Sequence, residues 1–184
     1  NLKHNLTLIS KISLFHSLGL PILIGTSRKR FINQISGIND SKERIGGTVA
    51  SVLFLLSQGV QIFRVHDVNA LALDYVDVVI HLAAIAHANR SNKDPFSTFD
   101  HSMRTLENVL DATRSKGIHV IYYSSSMVYG NFDGKEVTEE TNCKPIGIYG
   151  TLKLSGENII KAYNVTFNIL TWILYRVSNT CLSS

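Results

Sequence analysis

Gln61-Ile-Phe-Arg-Val-His-Asp-Val-Asn69 and, a little further on, Val76-Asp-Val-Val-Ile-His-Leu-Ala-Ala84 decide how this chain is read. Each is a short apolar run, residues 61–65 and 76–82, that opens into polar or small residues. Runs of this length rich in Val and Ile read as strands. In a parallel sheet the loops at the carboxyl ends of strands carry the ligands. The two loops differ. Arg64 and His66 sit at the first, whereas Ala83 and Ala84 leave open space at the second.

Working upstream, Asn5 is an expected helix cap, with Leu8, Ile12 and Phe15 on one helical face until Gly19 and Pro21 end it. Residues 21–25 form an apolar run expected as a buried strand, followed by the basic turn Ser27-Arg-Lys-Arg30. A helix is expected over 43–58, closed by Gly59, before the strand at 61–65. Strand, helix, strand gives a βαβ unit with a parallel pair. The cations at 28–30 could then converge with Arg64 and His66 on one anionic group, or form a solvated turn beside a core histidine.

Downstream, His81 inside the strand at 76–82 is expected as a satisfied core histidine. Asp94-Pro95 caps and opens a helix. Phe96, Phe99, Met103, Leu106 and Leu110 follow at spacings of 3, 4, 3 and 4, an expected buried stripe ending near Gly117. A strand at 119–123 leads into Ser124-Ser-Ser-Met-Val-Tyr-Gly130. After an irregular stretch, 131–145, Tyr149-Gly-Thr-Leu-Lys153 starts a helix to about 163, and residues 167–176 read as a last strand.

Tyr149 and Lys153 are four apart and project from one helical face. An ammonium beside a phenol stabilises phenolate and suits it to general-base work. A serine at a neighbouring strand end can hydrogen-bond the same substrate oxygen. Tyr-x-x-x-Lys alone is a weak signal. With a Ser-rich strand end about 25 residues earlier it becomes a strong one.

Composition bounds the rest. The 184 residues are 45% hydrophobic and 17% charged, which fits a globular chain with a real core. The net charge of +4 is spread without a long basic run, so no nucleic-acid footprint is read from it. Cys143 and Cys181 are far apart, and no His or Cys pair has metal-ligand spacing. A reduced, cytoplasmic chain with no membrane span and no metal is expected, and an oligomer is open. Asn1 opens the sequence and the methionines are Met103 and Met127, which reads as a processed chain or a piece of something longer.

Gly19-Leu-Pro-Ile-Leu-Ile-Gly-Thr-Ser-Arg-Lys-Arg-Phe31, Glu43-Arg-Ile-Gly-Gly-Thr48 and Phe63-Arg-Val-His-Asp-Val68 resemble the last quarter of the dihydropteroate synthase, or pterin-binding, family. The resemblance implies the last two βα units of a TIM-type barrel, with Lys29 at the pterin and Arg64 and His66 at the phosphates. Its substrates would be a dihydropterin diphosphate and 4-aminobenzoate, in folate biosynthesis. Two strands cannot close a barrel.

Asp77-Val-Val-Ile-His-Leu-Ala-Ala84, Ser124 to Gly130 and Ile148-Tyr-Gly-Thr-Leu-Lys-Leu-Ser-Gly-Glu157 resemble the NAD-dependent epimerase/dehydratase group of extended short-chain dehydrogenases, over about 72–170. That resemblance implies NAD as cofactor and a nucleotide sugar as substrate. Tyr149 would be the base, Lys153 would orient the nicotinamide ribose and tune Tyr149, and Ser125 would contact the substrate oxygen. The repeat Ser124-Ser125-Ser126 leaves that serine open by one position. Leu82, Ala83 and Ala84 would run beside the cofactor. The sequence has no G-x-x-G-x-x-G loop, carries His101 where the family has Asn, and ends in Tyr175-Arg-Val-Ser-Asn-Thr-Cys181 instead of the family's Arg-Pro segment.

These readings predict an α/β chain with parallel strands and helices on both faces, Rossmann-like in its second part. The expected division is 1–70 and 71–184, with a seam near 69–74. Because strands and helices alternate throughout, one sheet joining both parts is expected, with 61–65 beside 76–82. A fragment or fusion bearing one of the two activities, or an inactive chimera, are the functional expectations.

Overall fold

The computed structural model describes residues 1–67, 76–85, 88–131, 137–138 and 140–174. It divides into two compact units, Asn1–Ala72 and Leu73–Ser184. The expected seam at 69–74, Val68 and Asn69 of the first loop, and the segment 175–184 lie outside the described residues.

In the first unit, α1 (Leu2–Ser10) starts at Asn1, whose side chain accepts from the His4 amide at 2.9 Å. The cap is thus Asn1 and not Asn5, whose amide donates back to the Asn1 carbonyl. The helix then tightens into a 3₁₀ turn, Ile12–Leu18, ended by Gly19 in the left-handed region at φ 70°. Tightening rotates the apolar stripe, because 3₁₀ winding eclipses i and i+3. Ile12 is buried, while Leu8 and Phe15, expected on its face, are exposed.

Strands β1 (Leu23–Ile24) and β2 (Ile62–Phe63) pair in parallel, with Leu23 opposite Ile62. Between them lie α2 (Arg30–Ser36), unforeseen in the basic turn, and α3 (Ile45–Ser57). Leu55 of α3 closes a core with Ile12 and Val60, against which Ile9, Ile22, Ile24 and Phe63 pack. The strand at 21–25 is not buried on both faces: Leu23 is 59% exposed, since this two-stranded sheet covers one face only.

In the second unit, β3 (Val78–His81), β4 (His119–Tyr123) and β5 (Thr171–Leu174) form a parallel sheet in that order. The expectation of one sheet spanning both parts fails: β1 and β2 form one sheet, β3 to β5 another. α4 (Ala88–Lys93) and α5 (Pro95–Thr113) lead to β4, and α6 (Ile148–Phe167) leads to β5. Asp94 caps α5 by accepting from the Ser97 amide, with Pro95 at the first helical position.

The buried face of α5 is Thr98, Ser102, Leu106, Val109, Leu110 and Thr113. The expected stripe is therefore half wrong. Phe96 and Phe99 are 81% and 59% exposed, and only its last members, Leu106 and Leu110, enter the core. Small residues are buried at the start of α5 because the cleft described below lies there. On β3 and β4 the residues His81, Val120 and Tyr122 are buried, while Val78 and Ile80 of β3 and Trp172 of β5 are exposed. The last strand starts later than expected: Phe167 ends α6 and Asn168 turns the chain at φ 53°.

Candidate functional site

The carboxyl end of β4 runs into Ser124 and Ser125. Ser125 caps a 3₁₀ turn, Ser126–Tyr129, its hydroxyl accepting from the Met127 amide at 3.3 Å. The start of α6 packs onto this turn, and Gly150 makes the approach possible. A Cβ at Gly150 would lie 2.4 Å from the Met127 carbonyl oxygen. Six residues later a Cβ at Gly156 would lie 2.4 Å from the Tyr122 hydroxyl. The two glycines press α6 against β4 and its loop, which places the helix's Tyr149 and Lys153 over the strand ends.

A shallow cleft opens there, lined by Ala83 and Ala84 after β3, Ser102 of α5, Tyr122 of β4, and Tyr149, Leu152 and Lys153 of α6.

Lys153 is 6% exposed. Its ammonium donates to the Tyr123 carbonyl at 2.7 Å and stands 4.8 Å from the centre of the Tyr122 ring. Burial pulls its pKa down to about 8, with the Glu157 carboxylate opposing. Burial and then the Glu157 charge raise the Tyr122 phenol above its ordinary value, so Tyr122 stays neutral.

His81 lies beneath the cleft, 4% exposed and stacked on Tyr122 with ring centres 5.7 Å apart. Neither ring nitrogen makes a well-formed hydrogen bond among the described residues, although the Thr105 backbone is close enough to oppose the lowering of its pKa, so the expected core histidine is at most weakly partnered. Burial, then the Lys153 charge, push its pKa down to about 4. The apolar stacking site is filled by a neutral ring.

The first unit holds a different arrangement. Arg28, at φ 58°, forms a two-pronged ion pair with Asp67. Its backbone is fixed from α3: its amide donates to the Thr48 hydroxyl at 3.1 Å, and Arg44 donates to its carbonyl at 3.0 Å. A Cβ at Gly47 would lie 2.3 Å from Ile32, so the helix start seats α2 as well. Ser27 holds His66 at both the backbone amide and the ring. Desolvation and the charges of Arg28, Arg64 and Lys29 lower the His66 pKa, with Asp67 opposing. Of the cations expected to converge, Arg28, Arg64 and Lys29 act on His66 in this way. Arg28 is neutralised by Asp67, and Lys29 and Arg64 are exposed at the strand ends.

Residues 60–182 match the NAD dependent epimerase/dehydratase family. The chain belongs to that family. Residues 1–66 match the pterin binding enzyme family. An uncharacterised UDP-glucose epimerase of Bacillus subtilis is 37% identical over 107 residues, 57% of this chain and 34% of that protein. The dihydropteroate synthase of Escherichia coli K12 is 43% identical over 69 residues, 38% of this chain and 24% of that protein. A crystal structure of UDP-glucose 4-epimerase from Brucella ovis in complex with NAD superposes with a TM-score of 0.56 at 25% identity. It covers 71% of this chain and 48% of that one. The chain thus spans about a third of the epimerase relative and a quarter of the synthase.

Within this epimerase/dehydratase unit, the cleft brings together four of the residues named from sequence: Tyr149, Lys153, Ala83 and Ala84. Leu82 is 63% exposed and outside the lining. Ser125 is held in its turn beside the start of α6 and does not line the cleft. The neighbouring Ser124 is engaged elsewhere, donating to Glu157. Sequence reasoning passed over Ser102, Tyr122 and Glu157. Ser102 sits next to His101, which is exposed and bonded to the Ser97 carbonyl. Its signal was a small residue in step with Thr98 and Leu106, masked by the larger phenylalanines. Among the described residues no group of His, Cys, Asp or Glu could hold a metal, and no helix is long and apolar enough to cross a membrane.

Proposed function

We propose that the second unit carries the reacting centre of an NAD-dependent nucleotide-sugar epimerase or dehydratase. The observation that supports this most is the shared cleft: Tyr149 and the buried Lys153 face the two small residues, Ala83 and Ala84, at the end of β3. Tyr149 takes the proton of a sugar hydroxyl. Lys153, with a pKa lowered to about 8 and its charge held in a dry site, stabilises the resulting phenolate. Ser125, one of three adjacent serines, offers its hydroxyl to the same sugar oxygen.

In this reading the nicotinamide lies beside the small side chains of Ala83 and Ala84, and Lys153 serves the ribose hydroxyls. Bound there, NAD supplies the hydride acceptor for the sugar carbon. The sugar class follows the UDP-glucose epimerases among the relatives. The remaining dinucleotide needs a phosphate cradle of the kind a glycine-rich loop gives, and the sequence contains none. Weak binding of NAD and little turnover by the chain alone are therefore expected.

Isothermal titration of the full chain with NAD tests the reading. Trp172 is a poor reporter, being 63% exposed away from the cleft. Heat of binding in the millimolar range, lost in Lys153→Met, is the expected result. No binding at millimolar NAD sinks it.

A second reading concerns the first unit. Residues 1–70 correspond to the pterin-binding segment of a dihydropteroate synthase, with Lys29, Arg64 and His66 directed to a dihydropterin diphosphate and 4-aminobenzoate as co-substrate. The cationic surroundings of His66 favour it. Titration with a dihydropterin diphosphate, repeated on Arg64→Ala, separates this reading from the first. Cytoplasmic residence belongs to either reading.

A further inference from the structure

Glu157 is a carboxylate 1% exposed, in the middle of α6, one helical turn beyond Lys153. Nothing in the proposed chemistry uses it. Burying a lone carboxylate costs several kcal/mol, so such groups persist only where they are paired and hydrogen-bonded. The Ser124 hydroxyl, which belongs to the strand end presenting Ser125, donates to it. The Ser124 amide is also bonded, to the Leu174 carbonyl of β5. One side chain of α6 is thus linked to the turn that caps β4.

The charges around it explain why a carboxylate stands there. Lys153 precedes it on α6, and the Tyr122 phenol faces it from β4. Tyr149 stands near Tyr122, and Cys143 faces it from the segment before α6, itself close to Lys161. His81 of β3 lies beyond, influenced by Lys153. Lys153 and Lys161 each lie four residues from Glu157 on α6, and of the two Lys153 is the buried one while Lys161 is exposed. We propose that Glu157 is a positioning residue of the Tyr149–Lys153 site: it holds the Ser124–Ser125 strand end against α6 and supplies the buried counter-charge that keeps Lys153 protonated. The inference rests on the reading of Tyr149 and Lys153 as the reacting pair. It adds the group that sets the state of that pair.

The consequence is directional. Burial drives Lys153 towards its neutral form and Glu157 drives it back. Removing the negative charge leaves burial unopposed, and the lysine loses its proton at lower pH. A merely structural Glu157 would not move that titration.

The test is an NMR titration of the full chain labelled with ¹³C at lysine Cε, with the Lys153 signal assigned by its loss in Lys153→Arg. In the wild-type chain Lys153 titrates well below the other lysines. In Glu157→Gln, which keeps the shape and can accept from Ser124, its proton affinity falls about tenfold or more, equivalent to one pKa unit. An unchanged Lys153 titration in folded Glu157→Gln overturns the charge role. Should that variant fail to fold, Ser124→Ala tests the anchor: amide exchange at Met127 and Val128 is expected to rise at least about tenfold, and unchanged protection overturns it. Calorimetric NAD binding on the same samples keeps the two readings apart. A wild-type chain that ignores NAD refutes the proposed function and leaves the lysine titration to judge Glu157. A chain that binds NAD while Lys153 is indifferent to Glu157→Gln refutes the role of Glu157 alone.

Discussion

The two units place charge at strand ends in opposite ways. In the first, Arg28 is matched by Asp67, His66 by Ser27, and the exposed Lys29 and Arg64 keep their water. In the second, Lys153, Glu157 and His81 are taken almost wholly out of water, and His81 makes no well-formed hydrogen bond among the described residues. Surface cations suit a polyanion that arrives with its own charge. Buried titratable groups suit proton transfer, because their pKa values can be moved into a working range. The difference separates solvated charge at one set of strand ends from buried titratable groups at the other.

The contrast in core packing can be broken most forcefully with two alanines. Leu106 in the second unit and Leu55 in the first are both fully buried. Each truncation to Ala is expected to cost about 2–5 kcal/mol. Leu55→Ala should lower amide protection in α3 and β2, and Leu106→Ala in α5 and β4. Hydrogen exchange read by mass spectrometry checks both, and a Leu106→Ala chain that loses protection in α3 alone contradicts the packing described.

The buried titratable groups give the second unit a pH signature with an acid and an alkaline limb. The folded His81 has a pKa near 4, against 6.5 for the free ring. Between those values the unfolded chain binds a proton that the folded one refuses, so stability falls as pH drops from 6.5 to 4. The loss is up to about 3 kcal/mol. Lys153 acts at the other end: between pH 8 and 10.5 the folded lysine is neutral and the unfolded one charged, so stability rises with pH there. Urea melts of the second unit should show both limbs. His81→Phe, stacking on Tyr122 in its place, should flatten the acid limb and leave the alkaline one. An acid limb that survives this change refutes the neutral buried histidine.

Glycines sharpen the comparison with a change of sign. At Gly150 an added methyl meets the Met127 carbonyl, so Gly150→Ala should destabilise by about 1–3 kcal/mol and displace α6 from the serine turn. Gly46 lies in α3 with nothing within 4 Å of an added Cβ, so Gly46→Ala should stabilise the first unit by about 0.5–1 kcal/mol. Thermal melts distinguish the two signs.

What could be seen in the sequence was local. Asp94-Pro95 and the Tyr149–Lys153 spacing are written within one helical turn, and both stand as expected. Parallel pairing within each part was also legible from alternating strands and helices. The face of α5 was not, because Phe96 and Phe99 carry the helical period and yet point outward, while Thr98 and Ser102 pass for surface residues. The Ser124–Glu157 bond spans 33 residues, and the stack of His81 on Tyr122 joins two different strands. No periodicity encodes such contacts. The single joined sheet failed for a related reason: alternation predicts parallel strands and says nothing of which strands are neighbours.

The smallest effect concerns the ion pair of the first unit. Arg28 and Asp67 are partly solvated, with side chains 27% and 15% exposed, so the pair contributes only about 1 kcal/mol. Asp67→Asn should therefore leave the fold intact. It also removes the negative charge that neutralises Arg28 and that opposes the lowering of the His66 pKa. Two results follow. His66 titrates at lower pH, readable from its ring proton signals, and the freed guanidinium joins Lys29 and Arg64 in attracting anions. Inorganic pyrophosphate should bind Asp67→Asn more tightly than wild type, with a steeper loss on adding salt, because one more unpaired cation is screened. Weaker binding would mean that the Arg28–Asp67 pair shapes the loop more than it restrains its charge, and the strand ends of the first unit would then owe their anion preference to geometry.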